Sequence, residues 1–176
     1  MTNFNQPRTS QCPASAYLGR KPENLLINGY RNWVAGLARA DARYWDAARN
    51  AHVTALGAGD GQAAIEALTA LIARLGICAR CPLRFYKPGS GHLCRDECLL
   101  LGMVAGAQHG DDEALITSAR LLSGCDALAS VIDRAGAYAA ILLSHDHRLV
   151  RVPADILADI DFRSTAGASG AGRLLH

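Results

Sequence analysis

The run Leu99-Leu-Leu-Gly-Met-Val-Ala-Gly-Ala107 is apolar almost all the way round a helical wheel. A helix with no polar face must be covered on every side, so this run predicts a central helix around which the rest of the chain is packed. Gly102 and Gly106 stand four residues apart, and glycines at that spacing let another helix backbone approach closely.

The flanking segments carry the patterns needed to do the covering. Pro22 suits the first turn of a helix on which Leu26, Tyr30, Trp33, Val34 and Leu37 recur at helical spacing. Asp41 reads as the N-cap of a second helix, with Tyr44, Trp45, Ala48 and Leu56 along it and Gly57 as its stop. Helical spacing makes both tryptophans core anchors. Gly57-Ala-Gly-Asp-Gly61 lacks the spacing of a phosphate-binding loop and reads as a turn, with Asp60 capping the next helix. That third helix carries Ile65, Leu68, Leu71, Ile72 and Leu75 and ends at Gly76. Gly110 closes the central helix, Asp111 or Asp112 opens another that runs to Gly124, and Asp126 caps one that carries Leu128 through Leu142. Leu149 to Val152 reads as extended, and Pro153 starts a last helical turn or two through Ile160.

The expectation is therefore an all-α, single-domain bundle of about six helices, with a short Cys-rich, hairpin-like loop before the buried central helix. Residues 1–20 read as an extended or disordered N-terminal arm, 21–163 as the helical domain, and 164–176 as a disordered C-terminal tail. Half of the 176 residues are hydrophobic and only 6% aromatic, which suits close helix packing around one core. A net charge of +2, from 18 basic and 16 acidic residues, argues against a protein whose main task is neutralising phosphates. With no basic-then-apolar leader and no uninterrupted apolar run long enough to span a bilayer, a cytoplasmic location and no membrane association are expected.

Four of the six cysteines lie in Cys78-Ala-Arg-Cys81 and Cys94-Arg-Asp-Glu-Cys98. The first pair sits at turn spacing; the second is one helical turn apart at the head of the central helix, where first-turn amides favour thiolates. Four thiolates complete a tetrahedral zinc shell, and the same set also suits an iron-sulfur cluster or simply buried, reduced cysteines. Between the pairs, Leu83 to Tyr86 reads as a short strand and Lys87 to Gly91 as a turn. A knuckle, a tight hairpin and a helix N-terminus resemble a treble-clef zinc arrangement with a compressed hairpin. The resemblance covers this stretch alone, has CxxxC in place of CxxC at the helix, and implies bound Zn²⁺. His92 could replace a cysteine as ligand or hydrogen-bond a thiolate. Cys125 reads as a small buried residue and Cys12 as part of the arm. Arg74, Arg80, Arg84, Lys87 and Arg95, with no acidic residue between positions 74 and 95, would offset the thiolate charge.

His145-Asp146-His147 offers a second set of metal-competent side chains, but adjacent loop residues rarely all face one ion, and the stretch reads better as a polar helix C-terminus. His109-Gly-Asp-Asp-Glu113 reads as a helix stop followed by a cap, and no nucleophile elbow or cysteine-protease signature occurs. The functional expectation is a non-catalytic, zinc-binding accessory or regulatory protein, monomer or homodimer. Its metal centre would pin a basic and aromatic loop, presenting Arg80, Arg84, Phe85, Tyr86 and Lys87 to the acidic patch of a protein partner. The alternative is an iron-sulfur protein for electron transfer, sensing or cluster handling. Nucleic-acid binding through Phe85 and Tyr86 ranks last.

Overall fold

Helical apolar spacing, punctuated by Gly and Asp, gives eight helices among the described residues. The computed structural model describes residues 13–79, 82–124 and 128–170. In chain order the helices are α1 (Pro13–Leu18), α2 (Lys21–Arg39), α3 (Ala42–Leu56), α4 (Ala58–Cys78), α5 (Arg95–His109), α6 (Asp112–Leu122), α7 (Leu128–Ser144) and α8 (Ala154–Gly170). Helices α2, α3 and α4 pack as successive neighbours; α5 packs against α6, α7 and α8; α7 also touches α4 and joins the two groups.

The apolar run is the centre, as its lack of a polar face requires. Leu99, Leu100, Met103 and Val104 of α5 are all but inaccessible. A Cβ on Gly106 would lie 2.7 Å from the backbone nitrogen of Leu115, and one on Gly102 would collide with the Leu157 side chain. These two glycines therefore let α6 and α8 settle directly on α5. Asp41 accepts the Arg43 N–H and Asp111 accepts the Ala114 N–H, so both act as N-caps. Gly57 and Gly110 end their helices at φ of 84° and 64°.

Several expectations change. There are more helices than about six because both ends contribute. Part of the expected arm forms α1, which is too short to show a period and buries Leu18 against α2. Helix α8 continues well past Ile160, into the expected tail, because Leu157 fills the notch over Gly102 and Asp161 pairs with Arg95. Helix α4 starts after Gly57 rather than at Asp60 and passes through Gly76 to Cys78, since an internal glycine weakens a helix without ending it. Leu37 and Trp45 are 55% and 38% exposed. Trp45 lies over Gly36 and donates its indole N–H to the Trp33 carbonyl, clipping α3 to α2 from outside rather than anchoring the core. No strand occurs among the described residues. Asp126 and Cys125 lie outside them, as does Cys12.

Helix α4 is, by length and composition, apolar enough to cross a membrane. In this fold Leu68, Leu71, Ile72 and Leu75 spend that apolarity on the core, between α3 and α7. At the α3–α4 crossing, a Cβ on Gly61 would lie 2.6 Å from the Val53 backbone nitrogen, whereas one on Gly76 would meet open space. Gly61→Ala should therefore cost about 1–3 kcal/mol. Gly76→Ala should stabilise by about 0.5–1 kcal/mol, and denaturant titration of the two variants reads both signs.

A polar bond crosses the core between α3 and α7. His52 is fully buried; its Nδ1–H donates to the Ala48 carbonyl, and its Nε2 accepts from the Tyr138 hydroxyl at 2.9 Å. Burial pushes the His52 pKa below its ordinary 6.5, against the bond to Ala48, which favours the charged form. The unfolded chain thus binds this proton more readily than the folded one. Stability should be full above about pH 6.5 and fall progressively as the pH drops below it. His52→Gln, which cannot titrate, should be less stable at neutral pH but flatten this decline between about pH 7 and 5, as measured by urea unfolding.

Candidate functional site

The segment between the two cysteine pairs has no ladder partner, so its backbone must find hydrogen bonds elsewhere. It finds them in two adjacent carboxylates at the head of α5. Asp96 accepts the Arg84 N–H at 2.8 Å, and Glu97 accepts the Tyr86 N–H at 3.0 Å. Glu97 also takes the Cys94 N–H at 2.9 Å, one half of a capping box in which Cys94 is the N-cap. On the other side, Tyr30 of α2 donates its hydroxyl to the Arg84 carbonyl at 2.9 Å.

Arg31 of α2 closes the arrangement. Its guanidinium pairs with both Glu97 oxygens, at 2.7 and 3.0 Å, and both side chains are completely buried. The same guanidinium donates to the Ser90 carbonyl at 2.7 Å and to the His92 carbonyl. Each Glu97 oxygen therefore accepts two bonds, one from Arg31 and one from a loop amide. A buried ion pair is tolerable when its remaining donors and acceptors are satisfied in this way.

The clasp fixes the loop's path and leaves some of its side chains outside. Arg84, Tyr86 and Lys87 are exposed, Tyr86 at 44%, while Leu83 and Phe85 turn inward onto the core. Phe85 is thus a packing residue rather than a presented one. The alternation is that of an extended chain whose inner side chains meet the core. His92 is exposed, and its ring lies tilted against Tyr86 with centroids 6.1 Å apart. That places its ring with the presented face.

The cysteines are distributed differently from the expectation. Cys78 is the buried last residue of α4, not part of a turn, and its carbonyl accepts the Gly124 N–H at 2.6 Å. Cys98 lies half-buried in the first turn of α5. Cys94 is outside the helix with extended backbone angles, so the rule that residues four apart share a helical face does not apply to this pair. Its thiol donates to the Arg84 carbonyl at 3.3 Å. Burial, then the Glu97 and Asp96 carboxylates, push its pKa up to about 12, outweighing the α5 amides that favour a thiolate. Cys81 and Arg80 lie outside the described residues. Among the described residues no three His, Cys, Asp or Glu side chains are placed to hold a metal ion.

The same end of the bundle is tied together by Arg95, which pairs with Asp96 and Asp161 and donates to the Leu121 carbonyl at 2.8 Å. The start of α5 and the end of α4 therefore both meet the segment Leu121–Gly124. His145, Asp146 and His147 do not converge: the His145 ring bonds Asp60 at 2.8 Å, and the His147 ring turns back to the His145 carbonyl.

Arg31, Asp96 and Glu97 were missed as site residues. Arg31 stood out only as one cation beside Leu26, Ile27 and Tyr30, and a capping box with Cys in place of Ser or Thr does not fit the familiar pattern. No protein-family model, curated protein or solved structure matches the chain.

Removing one partner of the clasp strands a buried charge. Glu97→Ala should destabilise by about 3–5 kcal/mol. The double variant Arg31→Met, Glu97→Leu should recover a large part of that loss while leaving the loop amides unpaired, giving native-like melting with a proteolytically sensitive loop. Denaturant unfolding and limited proteolysis check the two halves separately.

Proposed function

We propose that this chain is a non-catalytic accessory or regulatory protein whose clasped loop presents Arg84, Tyr86 and Lys87 to an acidic patch on a protein partner. One observation carries the reading: the Arg84 and Tyr86 amides are bonded to buried or nearly buried carboxylates while their side chains remain exposed. Arg and Tyr are residue types that dominate binding hot spots, and a backbone already fixed before association avoids most of the ordering cost. Arg80, outside the described residues, would extend the same basic stretch in sequence.

A second reading, compatible with the first, is a metal at this end of the bundle. It rests on Cys78 and the head of α5 both meeting the Leu121–Gly124 segment. Cys78, Cys81 and Cys98 are its natural thiolates, and Cys94 would join only by giving up its cap and its bond to Arg84. Zn²⁺ would serve there as a structural staple; the alternative occupant is an iron-sulfur cluster. Metal analysis of protein purified without oxygen separates them. One zinc in a colourless protein supports the staple, a brown iron-bearing protein supports the cluster, and protein without either metal removes this second reading.

The partner reading has its own test. On an array of acidic peptides, the double substitution Arg84→Ala, Tyr86→Ala should cost about 2 kcal/mol or more of affinity with no loss of melting temperature. Neutral peptides should bind neither protein. Equal binding by wild type and double variant would remove the loop from the interface.

A further inference from the structure

A second feature lies away from the cysteines, where the corner between α1 and α2 faces α3. There the structure has an open cleft of about 660 Å³. That size falls within the ~300–1,000 Å³ of small-molecule sites. Leu18, Leu25, Ala51 and Ala55 give it an apolar floor. The polar groups on its walls are basic or neutral: Arg20, Lys21 and His147 line it, and among the described residues no Asp or Glu does.

We propose that this cleft binds a small amphipathic carboxylate, an apolar chain or ring bearing a single carboxyl group. The charges select the anion. Arg20 is already paired with Glu23, whose carboxylate also accepts the Val150 N–H, so that guanidinium is largely neutralised. Lys21 has no hydrogen-bond or ion-pair partner among the described residues and supplies the uncompensated charge. Asn50 and Thr54, on the α3 wall, likewise carry polar groups without a partner among the described residues and can bond the second carboxylate oxygen. One free cation with two neutral donors matches a monoanion, and the apolar floor gives its hydrocarbon body a place to leave water.

The α2 wall is already in place. Asn24 donates its amide to the Leu18 carbonyl at 3.0 Å, Asn28 donates to Asn24 at 2.9 Å, and Asn28 accepts the Gly89 N–H at 3.3 Å. This last bond joins the cleft wall to the tip of the clasped loop. The proposal does not depend on that loop's partner.

Titration calorimetry of the full chain with octanoate, octanol and octyltrimethylammonium tests it. Octanoate should bind at one saturable site, octanol about tenfold or more weakly, and the cation not at all. Lys21→Glu should weaken octanoate by about tenfold or more. That variant places an acid in the first turn of α2, where the helix dipole favours it, so its melting temperature should hold. Ala51→Trp fills the cleft and should abolish binding in a protein that still melts cooperatively. Octanol binding as tightly as octanoate, no saturable octanoate site, or octanoate binding untouched by Lys21→Glu would each overturn the proposal.

Discussion

The Arg31–Glu97 pair is the point on which the loop before α5 depends. It joins the middle of α2 to the first turn of α5 with neither side chain exposed to solvent, and it is stable there because every oxygen of Glu97 is used twice. The loop amides are therefore part of the solvation of the pair, and the pair is part of the secondary structure of the loop. Neither survives alone: an unclasped loop leaves a buried carboxylate under-bonded, and an unpaired Arg31 leaves a cation in the core.

This arrangement changes what the cysteine motif explains. The residues between Cys81 and Cys94 read as a hairpin-like loop that a metal centre would pin. The fold supplies the restraint with Asp96, Glu97, Arg31 and Tyr30, and it uses Cys94 as a helix cap whose thiol is kept protonated. A metal at Cys78, Cys81 and Cys98 would add to that restraint instead of providing it. Of the basic residues from Arg74 to Arg95, Arg95 finds its counter-charges in Asp96 and Asp161.

Much of the architecture was legible from periodicity and punctuation. The run from Leu99 to Ala107 announced the buried helix, and Asp41, Gly57, Gly110 and Asp111 marked helix ends where they occur. Features decided by long-range contacts were not legible. Helix α8 is held by a notch at Gly102 and by Arg95, neither of which lies near it in sequence. Trp45 carries the spacing of a core residue, yet it lies over a glycine at the surface because Gly36 happens to face it. The clasp needed a contact spanning 66 residues between two charged side chains, and no local pattern marks such a pair. The exposed loop side chains Arg84, Tyr86 and Lys87 were identifiable by type and by loop position. That Phe85 packs partly against the core was not legible, because a strand-like alternation had not been set against a particular core.

The central claim is that Asp96, Glu97 and Arg31 are by themselves sufficient to hold the loop. Amide hydrogen exchange on protein stripped with a strong chelator tests it most directly. The amides of Arg84, Tyr86 and Cys94 should remain as slow as those in the interior of α5, since their acceptors, Asp96 and Glu97, are untouched by chelation. Exchange of these three amides at the rate of an exposed loop, with α5 still protected, would contradict the account.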